Sequence, residues 1–277
     1  MKQIQIIFTD FDGTLFSSER KISGQDISTL NELGKLGIIR VIATGRSVFS
    51  ISKVIECDFP VDYLIFSSGS GIMDWKNKKI LHSHSLNKNE ISEITCILSK
   101  HQVDFMVHYP IPENHRFSYF QFSVNNPDFL HRCEIYRDYI NRLSDFKQLP
   151  ETACQFVGII DYDTMQYNKI KKSFKNGLNK FEIIRTTSPL NGKSIWIEIF
   201  PEQVSKGKAA QWICNYLTIP KEVTMSIGND FNDVDLLKWT KYSYVVNNSP
   251  EEFREFFTIA EGTTGSDFSD AVISALT

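Results

Sequence analysis

Ile4-Gln5-Ile6-Ile7-Phe8-Thr9-Asp10-Phe11-Asp12-Gly13-Thr14 is the stretch on which the reading of this chain turns. Ile4 to Phe8 is an apolar run of strand length, and it ends in a polar, glycine-containing turn that carries two carboxylates at spacing two. A strand this apolar is buried on both faces, as the strands of parallel sheets are. Open α/β sheets bind ligands at the carboxyl edge of the strands, which is where Asp10 and Asp12 fall. Carboxylates this close repel and need a cation or a shared proton to coexist. Mg²⁺ suits them, being a hard ion that takes a few oxygen ligands and keeps water and substrate phosphate for the rest. Gly13 lets the backbone turn tightly beside them. An isolated Asp-x-Asp reads as a capped turn, and it is the flanks that make this one specific.

Working outward, strand and helix signals alternate. Ser23 with Asp26 offers an N-cap pair, and Ile27, Leu30 and Leu33 share one helical face before Gly37. Ile38 to Ala43 reads as a second strand ending in Thr44-Gly45-Arg46, Val48 to Ile55 as a short helix, and Asp62 to Phe66 as a third strand. The same grammar returns late in the chain. Helices are expected over Lys206–Leu217, Val234–Trp239, Pro250–Phe257 and Ser266–Leu276, and strands over Val223–Ile227 and Tyr242–Val246. Between them, Ser85 to Pro189 holds four of the six histidines and dense aromatics. Its strands, such as Phe117–Val124 and Gln155–Ile160, read as a separate sheet, with helices over Asn89–His101, Phe129–Leu143 and Thr164–Asn176. The expected layout is a core of residues 1–84 and 190–277 with a domain of residues 85–189 inserted into it. Strand–helix–strand repetition with continuously apolar strands argues for a parallel sheet covered on both faces.

Thirty Lys+Arg against 33 Asp+Glu, a net charge of −3, leave no electrostatic footprint for nucleic acid or an anionic membrane. No apolar run approaches the ~20 residues that span a bilayer, and the N-terminus does not read as a signal peptide. Five cysteines, odd in number and without a Cys-x-x-Cys pair, read as reduced thiols of a cytoplasmic protein.

Three further strand or helix ends carry chemistry that matches the first. Thr44-Gly45 offers a hydroxyl and a permissive backbone N–H at a strand-to-helix turn, suited to a phosphate oxygen. Gly228-Asn229-Asp230-Phe231-Asn232-Asp233 follows another strand with acidic and amide side chains. Lys206 opens a helix, where a cation opposes the dipole; a solvated lysine is the ordinary reading and a charge required by a ligand the sharper one. His82 and His84 share a face if Lys79–His84 is a strand, but no further metal ligand lies nearby in sequence, and they read as surface histidines. The phenylalanines of the inserted segment read as core.

Asp10-Phe-Asp-Gly-Thr14, Thr44-Gly-Arg46, Lys206-Gly207 and Gly228-Asn-Asp-Phe-Asn-Asp233 resemble the four ordered motifs of the haloacid dehalogenase superfamily. More narrowly, they resemble the Cof-type phosphatases, which carry a class IIB cap between the second and third motifs. The resemblance covers the whole chain in layout. It implies an α/β fold with a doubly wound, parallel-sheet, Rossmann-like core and an inserted α+β cap that sets substrate selectivity. It implies that Asp10 is the nucleophile, forming an aspartyl-phosphate, and that Asp12 protonates the leaving alcohol and then activates water. Thr44, Gly45, Arg46, Lys206 and Asn232 are the implied phosphate-binding groups, with pairing to a core carboxylate the equal alternative for Arg46. Mg²⁺ is the implied cofactor, with Asp10, Asp12 (through its backbone carbonyl), Asn229 and Asp233 (through water) around it, and Asp230 as a further candidate. Asp at the second carboxylate and Thr after the glycine favour phosphatase over dehalogenase chemistry.

Two departures stand out. Relatives carry Asp where this chain has Asn229, an amide that can ligate Mg²⁺ but brings no charge. They often carry Asn-Gly-Ala where it has Ser68-Gly69-Ser70. The expected activity is Mg²⁺-dependent hydrolysis of a small phosphorylated metabolite, by analogy a sugar phosphate, in a protein monomeric by default with a dimer open. The rival reading is a catalytically weakened regulatory protein that binds a phosphorylated metabolite, motivated by Asn229. A nucleotide-binding oxidoreductase needs Gly-x-Gly-x-x-Gly after the first strand, and the chain has Asp-Phe-Asp-Gly-Thr there instead.

Overall fold

The computed structural model describes residues 3–17, 20–174, 180–188, 190, 192–260 and 266–276. The chain opens with β1 (Ile6–Thr9), α1 (Gly24–Lys35), β2 (Ile39–Ala43), α2 (Val48–Ile51), β3 (Tyr63–Phe66), β4 (Gly71–Asp74) and β5 (Lys79–Ser83). There follow β6 (Leu86–Asn87), α3 (Lys88–Lys100), β7 (Asp104–His108), β8 (Phe117–Phe120), α4 (Pro127–Ile135), β9 (Ile140–Arg142) and β10 (Thr152–Ala153). Then come β11 (Gln155–Asp161), α5 (Thr164–Phe174), β12 (Phe181–Thr187) and β13 (Ser194–Pro201). The last segment holds α6 (Lys206–Leu217), β14 (Thr224–Gly228), α7 (Val234–Trp239), β15 (Tyr242–Val245), β16 (Thr258–Ile259) and α8 (Asp267–Leu276). These elements form two compact units, Met1–His82 with Ser205–Thr277, and Ser83–Val204.

The first unit is built on an eight-stranded sheet in the order β16-β15-β14-β1-β2-β3-β4-β5. Strands β16 to β3 of that order run parallel, and β4 returns antiparallel to β3. All four residues of β1 are buried. Ile6 and Phe8 join Val41, Ala43 and Ile65 against Ala209, Ala210 and Ile213 of α6. Ile7 and Thr9, equally buried, point the other way, as a sheet covered on both faces requires. Helix α1 is tied to α8 through Asp26, whose Oδ1 accepts from the Ser269 backbone N–H (3.0 Å) and hydroxyl (2.7 Å). The core is therefore the doubly wound α/β fold that the strand pattern implies.

The second unit holds a six-stranded sheet, β12-β13-β11-β7-β8-β9, antiparallel except for β8 with β9, and a short ribbon of β10 with β6. Alternate residues sort to opposite faces. Phe105, Val107, Phe156 and Ile197 pack on α3 and α5, and Met106, Val157, Ile159 and Trp196 pack on Phe129 and Cys133 of α4. Of the dense aromatics Phe117 is thus core, and Tyr119, Phe120 and Phe122 pack partly buried against the two faces.

Several boundaries differ from the sequence expectation. The insert returns to the core at Val204/Ser205 rather than at residues 189/190. The cause is β13, an apolar strand whose partners are β11 on one side and β12 on the other, so it belongs to the second sheet. The strand expected over Phe117–Val124 stops at Phe120, because the N–H groups of Phe122 and Ser123 turn aside to Asp104 Oδ1 (2.6 and 2.9 Å). The helix expected over Phe129–Leu143 ends at Ile135, and Ile140–Arg142 pairs with β8 instead. Pro250–Phe257 forms a short 3₁₀ turn over Glu251–Glu255. Asn176 and Pro189, which bounded two expected segments, lie outside the described residues.

Candidate active site

The site forms where the chain reverses direction across the sheet. β1 pairs with β2 on one side and β14 on the other, so the turns after β1 and β14 flank the same crevice. The Asp10 N–H bonds to Ile227 O (2.8 Å), carrying the β1–β14 ladder one residue past the strand and fixing where the Asp10 side chain starts. The chain then folds back on itself: Phe16 N–H bonds to Phe11 O (2.7 Å) and Gly13 N–H to Phe16 O (2.8 Å). Gly13 sits at φ +82°, a conformation that only glycine adopts without strain. The rings of Phe11 and Phe16 stack at 5.1 Å beneath this turn.

Lys206 is the first residue of α6, behind the N-cap Ser205, and it is wholly buried. Its ammonium reaches Asp10 Oδ1 at 2.5 Å and Asp233 Oδ1 at 2.6 Å. The other oxygen of Asp233 accepts the N–H groups of Asn229 (2.9 Å) and Asp230 (3.1 Å), closing the turn after β14. Gly228 makes that closure possible, since a Cβ there would fall 2.7 Å from the Asp233 side chain. Motifs that lie far apart in sequence thus meet on one buried cation.

The charges in this cluster do not balance. Two buried carboxylates, Asp10 and Asp233, share one ammonium. Burial, and next the Asp233 charge, push the Asp10 carboxyl up to about 8 even though Lys206 pulls it down. Burial by itself would lower the Lys206 ammonium, but Asp10 and Asp233 override it and hold the lysine above its ordinary range. With both carboxylates ionised, the cluster is one positive charge short.

That shortage is what a bound cation relieves, so the residues present fit Mg²⁺. Asp10 brings the charge. Asn229 brings an amide that makes no side-chain hydrogen bond among the described residues, and it lies against Gly13, where any Cβ would collide with it. Among the described residues no three His, Cys, Asp or Glu side chains gather as a ligand set. Asp233 spends both oxygens on Lys206 and the turn's N–H groups, and Asp230 Oδ1 accepts from the Phe231 N–H (2.8 Å). Both therefore hold the turn together in this structure. Asn232 is buried in the same turn.

At the end of β2, Thr44 is buried, and its hydroxyl accepts the Arg46 N–H (3.1 Å), which leaves its own proton for an oxygen ligand. The Thr44 carbonyl takes the Ser68 N–H (3.0 Å) and the Arg46 carbonyl takes the Ser67 N–H (2.9 Å). The serine turn after β3 is thereby hung on the Thr-Gly-Arg turn. Of the two places open to Arg46, on the phosphate or on a core carboxylate, its guanidinium takes the second in this structure and grips Asp12, with Nε to Oδ2 at 2.7 Å and Nη2 to Oδ1 at 2.6 Å. It lies over the rings of Phe11 (5.3 Å) and Phe16 (5.4 Å), so the fork is held from below. The sequence reading also missed Asp235, whose Oδ2 accepts the Gly207 N–H (2.9 Å) and fixes the start of α6. A carboxylate in the first turn of the helix after Asp233 was the available signal.

Residues 7–276 match the family model of the haloacid dehalogenase-like hydrolases, and the chain belongs to that family. It is similar to phosphatase YwpJ of Bacillus subtilis (22% identical, 94% of each chain covered). It is also similar to 5-amino-6-(5-phospho-D-ribitylamino)uracil phosphatase YcsE of the same organism (23% identical, 99% of this chain and 94% of that one). Among solved structures it shares its fold with the HAD subclass IIB sugar phosphatase BT4131, at TM-score 0.76 and 19% identity over 98% of both chains. No helix among the described residues is long and apolar enough to cross a membrane.

Proposed function

We propose that this hydrolase is a Mg²⁺-dependent phosphomonoesterase acting on a small phosphorylated metabolite, a sugar phosphate in class, through a phosphoryl group carried on Asp10. The observation that carries the reading is Lys206 seated between Asp10 and Asp233. One oxygen of Asp10 is held by an ammonium and the other remains to attack phosphorus. Attack forms an Asp10 oxygen–phosphorus bond and breaks the bond from phosphorus to the leaving alkoxide, which takes a proton from Asp12. Water then attacks the same phosphorus, gives a proton to Asp12 and returns Asp10 as a carboxylate. In the structure both Asp12 oxygens accept from Arg46, so Asp12 releases one of these bonds before it carries a proton. The Thr44 hydroxyl, the Gly45 N–H, Lys206 and Asn232 bind the phosphoryl oxygens, an arrangement of preorganised donors typically worth about 3 kcal/mol each in a tight site. Asp10, the Asp12 backbone carbonyl and Asn229 would hold Mg²⁺, which would supply positive charge beside the phosphoryl oxygens.

The sugar-phosphate class draws its support from two similar proteins, a 5-amino-6-(5-phospho-D-ribitylamino)uracil phosphatase and a HAD subclass IIB sugar phosphatase. The test is release of p-nitrophenol from p-nitrophenyl phosphate with Mg²⁺ present, followed by a panel of phosphorylated metabolites. Release no greater than that of an Asp10→Asn control would refute the enzyme reading and leave the regulatory one.

A further inference from the structure

Three residues of the turn that carries the proposed nucleophile are each held by a side chain from a different part of the first unit. Asp10 is held by Lys206 at the start of α6, and Asp12 by Arg46 after β2. Gly13 is held from a place outside the four motifs: Asn248, in the loop after β15, donates its Nδ2 to the Gly13 carbonyl at 2.7 Å. β15 is the strand beside β14, so its carboxyl end lies one place further along the same sheet edge. The Gly13 N–H is already committed to Phe16 O. The Asn248 amide is therefore what sets the carbonyl end of this residue, whose φ of +82° leaves its peptide otherwise unrestrained by a side chain. The Asn229 and Asn248 amides approach Gly13 together, and a Cβ on Gly13 would strike the first and lie 3.5 Å from Nδ2 of the second.

We propose that Asn248 is a positioning residue, which holds the Gly13 peptide, and through it the Asp10–Gly13 turn, in the orientation that the phosphoryl transfer uses. It touches neither substrate nor reacting atoms. It acts through the backbone of Gly13, on the turn that aims Asp10 and Asp12. A hydrogen bond of this kind has a modest net worth, so its loss reads as a partial defect.

The inference rests on Asp10 being the nucleophile, but one of its two readouts does not. Asn248→Ala and Asn248→Asp are compared with the full wild-type chain. The second variant keeps the size of the side chain and sets a carboxylate oxygen against the Gly13 carbonyl. Amide hydrogen exchange of a peptide spanning Asp10–Phe16, followed by mass spectrometry, rises severalfold in both variants while far-ultraviolet circular dichroism is unchanged. The kcat for p-nitrophenyl phosphate falls three- to tenfold in Asn248→Ala and at least as far in Asn248→Asp, with KM within twofold of wild type. A merely space-filling Asn248 would leave Asn248→Asp close to wild type in both readouts, and that result overturns the proposal. Unchanged exchange in both variants overturns it as well, whatever the kinetics. If the wild-type chain hydrolyses no phosphate ester, the phosphatase reading fails, and the exchange result still decides whether Asn248 holds the turn.

Discussion

The buried carboxylates of the candidate site and those of the second unit are satisfied in opposite ways. In the second unit, Asp104 accepts the N–H groups of Phe122 and Ser123 and the Asn126 amide (2.9 Å). Asp128 accepts the Ser188 hydroxyl (3.1 Å) and the Trp196 indole N–H (2.7 Å). Their partners are neutral, and the bonds end strands and join α4 to the sheet. In the first unit, Asp10 and Asp233 contend for one buried lysine. Neutral donors satisfy a carboxylate and make architecture. Two carboxylates against one cation leave a demand for charge that a proton or a bound cation meets, and that demand marks the candidate site.

The sharpest way to break the contrast is to remove the excess charge itself. Asp10→Asn is expected to lower turnover of p-nitrophenyl phosphate by roughly a thousandfold or more, because the nucleophile is gone. Its melting temperature in metal-free buffer near pH 7.5 should match or exceed that of wild type, since the substitution removes a carboxylate the fold holds at a cost. A clear loss of stability would mean that Asp10 is architectural after all.

Removing the cation is the next test. Lys206→Met leaves two buried carboxylates unpaired, and a loss of about 3–5 kcal/mol in urea unfolding is expected, together with loss of activity. Asp104→Ala in the second unit orphans backbone N–H groups and should cost about 1–3 kcal/mol. If the two variants lose the same stability, the difference drawn between the units is wrong.

A smaller effect is expected at Arg46. Arg46→Lys keeps the charge but loses the two-pronged grip on Asp12, and kcat should fall about tenfold with KM little changed. A rise in KM with kcat intact would instead put Arg46 on the substrate phosphate, as its sequence position first indicated.

The mildest test is pH, where the two units should respond with opposite sign. Asp10 is raised in the folded state, so the fold binds more protons there than the unfolded chain. Metal-free stability should therefore decline as pH rises from about 4 towards 8. Mg²⁺ should flatten that decline. The groups that face Asp10 are Asp233, Lys206 and Asp12. In the second unit, burial, Arg132 and His115 hold His108 down at about 3, with its Nδ1 on Asn114 O at 2.8 Å. The unfolded chain takes up that proton first, so stability should be lost as pH falls below about 6.5. Urea titrations of His108→Phe and Asp10→Asn should each remove one limb, and retention of both limbs in both variants would place the titrating groups elsewhere.

How much of this was legible beforehand follows from the range of each interaction. β1 and its turn could be read because apolar runs and turn residues act over a few positions, and Gly13 indeed takes a positive φ. Lys206 could be singled out because a cation opening a helix is locally unfavourable, and its buried place between two carboxylates accounts for it. β13 could not be assigned to its sheet, since its eight buried residues suit either one equally.

The sequence by itself determined the alternation of strands and helices, the inserted segment and the four polar turns, because these rest on local pattern and on residue types with few uses. Tertiary structure alone decided that Arg46 grips Asp12, that Asp233 closes its turn on Lys206, and that Asn248 reaches Gly13. The positions joined in these pairs lie between 27 and 235 residues apart. No local rule links such distant positions, and only the order of strands in the sheet brings them to one edge.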